Sequence, residues 1–257
     1  MNSVHVLGIP LYNKTLVDAV QELRQDVLAG NPPLNRCMSA TGGHGLVYAQ
    51  RNPDFALLLN RFYRNLPDGM PGVWIGRLKG AKNMRRCPGP DFFEAVMKAT
   101  ASDNINHFFC GGREGVAQEL KEACRVKFAN QHVVGVYTPP FRPMTTTELQ
   151  ALAAAIEHSG ADVVWLGIST PKQEMLAEEL CKYLKTSYVI AVGAAFDFHT
   201  DRAKKAPKWI GSIGLEWLYR LLMEPRRLYK RYAVVVPLFL WYNLCEFYYF
   251  CTSEKTK

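Results

Sequence analysis

The chain has 257 residues, enough for one large α/β domain or for one domain with an appendage. Hydrophobic residues make up 48% and charged ones 21%, a balance that permits an ordinary core and excludes collagenous, low-complexity and strongly disordered classes. The formal charge of +8 is concentrated late: nine cations (Arg202, Lys204, Lys205, Lys208, Arg220, Arg226, Arg227, Lys230 and Arg231) accompany two anions (Glu216 and Glu224), so residues 202–231 carry +7 and the rest of the chain +1. Such a segment suits anionic partners: headgroups, diphosphates or nucleic acid.

In chain order, residues 3–9 predict a short strand and residues 15–30 a helix, with Thr15 as its cap and a stop at Gly30. Residues 35–40 predict a strand that leads into the loop TGGHG. Asn52-Pro53-Asp54 opens a helix to about Tyr63. A polar stretch then rises into Leu66-Pro67, and Asp68-Gly69 follows. Asp-Gly is a hairpin signal, but no alternating strand comes after it. Met70-Pro71 instead reads as the first turn of a helix. Pro90-Asp91 opens another, to about Ala101.

The second half is more regular. Strands are predicted at 106–110, 132–137, 162–168 and 188–193, with helices after GGREG, near Thr145 to Thr147, and after STPKQE to about Leu184. Apolar strands alternating with helices predict an α/β fold: a Rossmann-like parallel sheet with helices on both faces. Ligands of such sheets sit at the carboxyl ends of the strands. Pro225 then separates two helical stretches, and 233–252 is almost wholly apolar and aromatic. Pro237, Asn243 and Glu246 argue against a membrane span. A basic helix followed by an aromatic-rich one fits an interfacial appendage better. The predicted division is a core over 1–200 and a C-terminal appendage over 201–257.

The seven cysteines include no Cys-x-x-Cys pair, and no His/Cys cluster has metal spacing. Buried thiols in a reducing compartment are expected. The first residues lack the order of a signal peptide, so the protein is expected on the cytoplasmic side.

Several polar loops fall at predicted strand ends. Gly111 and Gly112 of GGREG could let a phosphate approach a helix N-terminus, or could only make a tight turn. In STPKQE, Pro171 would take the first helical position, leaving Lys172 and Gln173 to reach a ligand or simply to start a helix. His44 is more economically structural than catalytic. Asp68 alone could cap a helix. With Thr41 and the two loops on one rim, it is better placed to deprotonate a hydroxyl. A dinucleotide-dependent oxidoreductase would need the glycine fingerprint and its acidic partner, which are absent. A non-catalytic membrane- or nucleic-acid-binding protein using the basic segment stays open as the alternative, although no nucleic-acid motif is present.

Together LPDGMPGVW, RRCPGPDFFEAVM, FFCGGREGVA, VVWLGISTPKQE, VGAAFDF, RAKKAPKWI and GLEWLYRLLMEPRRLYKRY resemble the WecG/TagA/CpsF glycosyltransferases in order and spacing, over roughly residues 5–235. The resemblance implies a Rossmann-like core with a membrane-associating C-terminal appendage, and an inverting, metal-independent, cofactor-free transferase. It implies transfer from a UDP-sugar to a polyprenyl-diphosphate-linked sugar, for cell-envelope polysaccharides. The enzyme would be peripheral, on the anionic cytoplasmic face of the bacterial plasma membrane, without nucleic acid and with homo-oligomerisation open. Carried across by position, the base falls on Asp68 and substrate contacts on Thr41, Arg86, Gln173 and Asp197. Leaving-group arginines fall on Arg220, Arg226, Arg227 and Arg231. Family members usually carry Thr-x-Asn where this chain has Thr41-Gly42-Gly43. The usual N-acetylmannosamine-type donor is therefore in question, and a plain hexose is credible.

Overall fold

In the computed structural model, which describes residues 2–30, 36–185 and 188–254, the first expected strand is a hairpin. β1 (Ser3–Val6) and β2 (Ile9–Tyr12) pair antiparallel, with Val6 opposite Ile9. Leu7 and Gly8 turn between them with φ of 51° and 71°, the left-handed pair that a tight hairpin turn requires. A leucine is not a typical residue for that role, which is why the turn was hidden in an apolar run. α1 (Leu16–Leu28) starts as predicted: Thr15 and Asp18 form a reciprocal capping box.

β3 (Cys37–Thr41) runs directly into a helix that the sequence reading missed, α2 (Gly43–Arg51). Three glycines in five residues read as a loop, because glycine is a poor helix former. α3 (Pro53–Arg61), β4 (Arg64–Pro67), α4 (Met70–Leu78) and α5 (Gly89–Ala99) follow close to expectation. So do β5 (His107–Gly111), α6 (Val116–Lys127), β6 (Val133–Tyr137), α7 (Thr146–His158), β7 (Val163–Gly167), α8 (Lys172–Cys181) and β8 (Tyr188–Ala191). Pro171 caps α8 instead of opening it. Asn35, where the second strand was expected to begin, lies outside the described residues, as do the side chains of Lys208 and Cys251.

The eight strands form one sheet in the order β1-β2-β4-β3-β8-β7-β5-β6, parallel except for the β1-β2 pair. This is the predicted α/β fold, with an antiparallel edge added. β5, β7 and β8 are buried along their whole length, as strands covered on both faces must be. Alternation along β7 sends Val164 and Leu166 to one core and Val163 and Trp165 to the other. The chain leaves β4 and passes β3, β8 and β7 to reach β5. The carboxyl ends of β3 and β8, where the two halves meet, are therefore the expected ligand crevice.

Beyond β8 come α9 (Ala195–His199), α10 (Lys208–Ser212), α11 (Glu216–Met223) and α12 (Pro225–Glu254). Where two helices were expected after Pro225 there is one, continuous through Pro237. Its proline removes one backbone donor without ending the helix. One face of α12 is docked: Leu228, Val235, Phe239 and Asn243 are buried. Position 43 faces this helix: a Cβ there would stand 3.7 Å from Phe239 and 4.0 Å from Val235, in ordinary van der Waals contact. Glu246 fastens the far end, accepting from the Leu7 amide and pairing with Lys79 at 2.7 Å. The opposite face leaves Leu240, Trp241, Leu244 and Tyr248 each at least 59% exposed. Among the described residues no helix is long and apolar enough to cross a membrane.

Candidate active site

Asp68 sits one residue past β4, at the carboxyl edge of the sheet. Its amide donates to the Thr41 carbonyl at 3.2 Å, continuing the β3–β4 register for one more step. Its Oδ1 accepts from the Gly89 amide at 3.1 Å, in the first turn of α5. Gly42 stands over the other oxygen: a Cβ there would come within 3.3 Å of Oδ2. Asp68 is half-buried. Burial pushes its carboxyl up to about 6, and the neighbouring Glu216 pushes the same way. The Gly89 amide, Arg86 and Arg220 oppose that rise without cancelling it. Asp68 is therefore no hairpin turn: it stands at a strand end as a carboxyl raised toward neutral pH, the kind of perturbed group that clusters at functional sites.

Thr41 is buried beside it. Its hydroxyl donates to Ser39 Oγ at 3.2 Å, and Ser39 donates to Glu174 Oε1 at 2.9 Å. Thr170 and Gln173 donate to the same oxygen, at 2.9 and 3.0 Å. Gln173 in turn accepts from the Gly193 amide at 3.0 Å. Glu174 is thus the hub that ties the ends of β3, β7 and β8 together. Burial raises its pKa, and its second oxygen has no hydrogen-bond partner. Gln173 is 1% exposed with its amide engaged at both ends, so it builds the floor of the site.

The cations come from two directions. Arg86, in the loop before α5, pairs with Glu216 of α11 at 2.6 Å and reaches the Gly211 carbonyl at 3.4 Å. Arg220, one helical turn beyond Glu216, lies over the Phe198 ring, 5.6 Å from its centroid. It borders a shallow cleft of about 120 Å³ lined also by Arg202, Lys204, Met223 and Glu224. Arg227 pairs with Glu224 at 2.7 Å. Arg226 and Arg231 are exposed on the first turns of α12. Burial and Arg231 lower His44 to about 4, so His44 is neutral at pH 7. Asp197 is half-buried on α9, and its carbonyl holds the amides of Arg202 and Ala203.

Gly111 and Gly112 stand apart from this group, at the end of β5 and just beyond it, three strands from Thr41. A Cβ on Gly111 would meet the Gly167 backbone at 2.7 Å. The Gly112 amide donates to the Gly167 carbonyl at 3.0 Å. Both glycines have a structural reason: Gly111 in the close approach of β5 to β7, and Gly112 in its φ of 73° and in Val116, which a Cβ would meet at 2.7 Å. Sequence reasoning missed Ser39, Glu174 and Glu216. Glu216 and Arg220 at i, i+4 was the one available signal, and the partner of Glu216 lies 130 residues away.

A half-buried carboxyl of raised pKa, acted on by the Arg86 and Arg220 guanidinium groups, thus stands at the carboxyl edge of the parallel sheet of an α/β protein. The sequence matches the model of the glycosyl transferase WecG/TagA/CpsF family over residues 4–249, and the chain belongs to that family. Its members are glycosyltransferases of cell-envelope polysaccharide synthesis, which use a nucleotide-sugar donor and a lipid-linked acceptor. Among the described residues no group of three or more His, Cys, Asp or Glu is arranged to hold a metal ion.

Proposed function

We propose that the chain is an inverting glycosyltransferase that moves a sugar from a UDP-sugar to a sugar carried on a polyprenyl diphosphate. Asp68 takes the proton from the acceptor hydroxyl. The oxygen attacks the anomeric carbon on the face opposite UDP, so configuration inverts. Arg220, Arg86 and the cations of early α12 (Arg226, Arg227 and Arg231) stabilise the departing diphosphate without requiring a metal. Thr41 positions the substrate, held by the Glu174 network, and Asp197 and the cleft beside Phe198 serve the nucleotide side. The donor is an N-acetylmannosamine-type sugar or a hexose. Residue 43 faces α12, so its change from the family's Asn alters the seat of that helix as well as any sugar contact.

The observation that carries this reading is the half-buried Asp68 carboxyl, raised to about 6 between Arg86 and Arg220. A general base works best when its pKa lies near the operating pH.

Residues 1–200 form the catalytic core in this reading, and 201–257 the membrane-binding appendage. The exposed apolar face of α12, with Arg226, Lys230 and Arg231 near its start, suits the anionic cytoplasmic leaflet where a polyprenyl acceptor resides. A panel of UDP-sugars with a lipid-diphosphate-linked sugar tests the assignment. UDP release that requires both substrates supports it, and no release with any donor contradicts it.

A further inference from the structure

Of the two guanidinium groups that act on Asp68, one is already occupied. Arg86 Nη1 lies 2.6 Å from Glu216 Oε2, and the two side chains are 20% and 32% exposed, accessible enough for exchange with a ligand. Arg220, on the same face of α11, has no carboxylate partner among the described residues. A carboxylate and a phosphate present the same chemistry to a guanidinium: anionic oxygens that accept paired N–H bonds.

We infer that Glu216 is an internal stand-in for the donor's diphosphate, holding Arg86 in the empty site and giving it up when a phosphate oxygen arrives. The inference rests on the nucleotide-diphosphate donor proposed above. Glu216 is a positioning residue in this scheme, and no covalent step is involved. The groups that act on Asp68 are Arg86 and Cys87 from the loop, Glu216 and Arg220 from α11, and Tyr232 from α12. Glu216 favours the protonated acid and Arg86 the carboxylate. Once phosphate neutralises Arg86, the released Glu216 carboxylate is left uncompensated. Asp68 becomes a stronger base when the donor is bound, and remains a weaker one in the empty enzyme. The device couples donor binding to activation of the base.

The test uses the full chain and measures binding of UDP and of inorganic pyrophosphate by calorimetry, with no transfer required. Glu216→Gln keeps the shape and removes the charge. It should bind both ligands about 3- to 10-fold more tightly, since Arg86 is released and one repulsive charge is gone. Unchanged or weaker binding overturns the inference, because a purely structural clip gives that result. Glu216→Asp should fall between the two and serves if the Gln variant unfolds. In an Arg86→Gln background the Glu216→Gln gain should shrink to the part that comes from the lost repulsion; a gain of undiminished size also overturns the idea.

A second readout is the pH profile. The acid limb of kcat, which reports the bound complex, should lie at higher pH than that of kcat/KM, which reports the free enzyme. Coincident limbs contradict the inference. Wild type that binds ligand but transfers no sugar with any donor sinks the proposed reaction while leaving the Glu216 exchange standing. Failure to bind UDP or pyrophosphate at all overturns both.

Discussion

The backbone amide of Asp68 is bonded to the carbonyl of Thr41, so the carboxyl raised to about 6 is carried on the last rung of the β3–β4 ladder. A carboxyl on a sheet end is held more firmly than one on a free loop. Its position is fixed twice, by this bond and by the Gly89 amide.

The pH dependence of activity follows from the raised carboxyl. The base must be ionised, so activity should rise through an acid limb near pH 6 in kcat/KM. A limb near pH 4, the ordinary aspartate range, would show that the folded chain does not perturb Asp68.

Stability carries the opposite signature. Asp68 binds its proton more tightly in the folded chain than in the unfolded one. That contribution is complete below about pH 4, the unfolded value, and is lost as pH rises through about 6. Asp68→Asn escapes the loss, so it should exceed wild type by about 2–3 kcal/mol at pH 7, roughly 4–12 °C in Tm. The advantage should disappear near pH 3.5 in thermal melts.

The junction between β7 and α9 is tight enough to be tested by one methyl group. A Cβ on Gly167 would lie 2.4 Å from the Phe196 ring. Overpacking of this kind costs about 1–3 kcal/mol. Gly167→Ala should therefore lower Tm by roughly 2–12 °C in calorimetry.

The exposed face of α12 yields a membrane prediction. Replacing Leu240, Trp241 and Leu244 together with Ser removes apolar side chains that are each at least 59% exposed. Tm should stay within a few degrees, while binding to anionic vesicles in a flotation assay should fall at least about tenfold. Unchanged flotation would place the membrane contact elsewhere.

The sheet was legible because its signals are local. The Thr15 and Thr145 capping boxes, the apolar runs at β5, β7 and β8, and the proline in the first turn of α4 all lie within a few residues of what they determine. The placement of Asp68 at a strand-to-helix junction was legible for the same reason: strand, carboxylate and helix start are contiguous. α2 was not, since its glycine-rich start has poor intrinsic propensity and its docking partner, Phe239, is nearly 200 residues away. The continuity of α12 through Pro237 was equally hidden, because burial of Val235 and Phe239 against the core holds both sides of the proline. The Glu174 hub and the Arg86–Glu216 pair are long-range contacts that no spacing rule reaches.

The central claim is that Asp68 is the base of a sugar transfer. Its most direct test is UDP release by wild type and Asp68→Asn under saturating UDP-sugar and lipid-diphosphate-linked acceptor. Loss of a positioned base should lower kcat about 10²- to 10⁴-fold while UDP still binds. Full turnover by Asp68→Asn with both substrates bound would contradict the account.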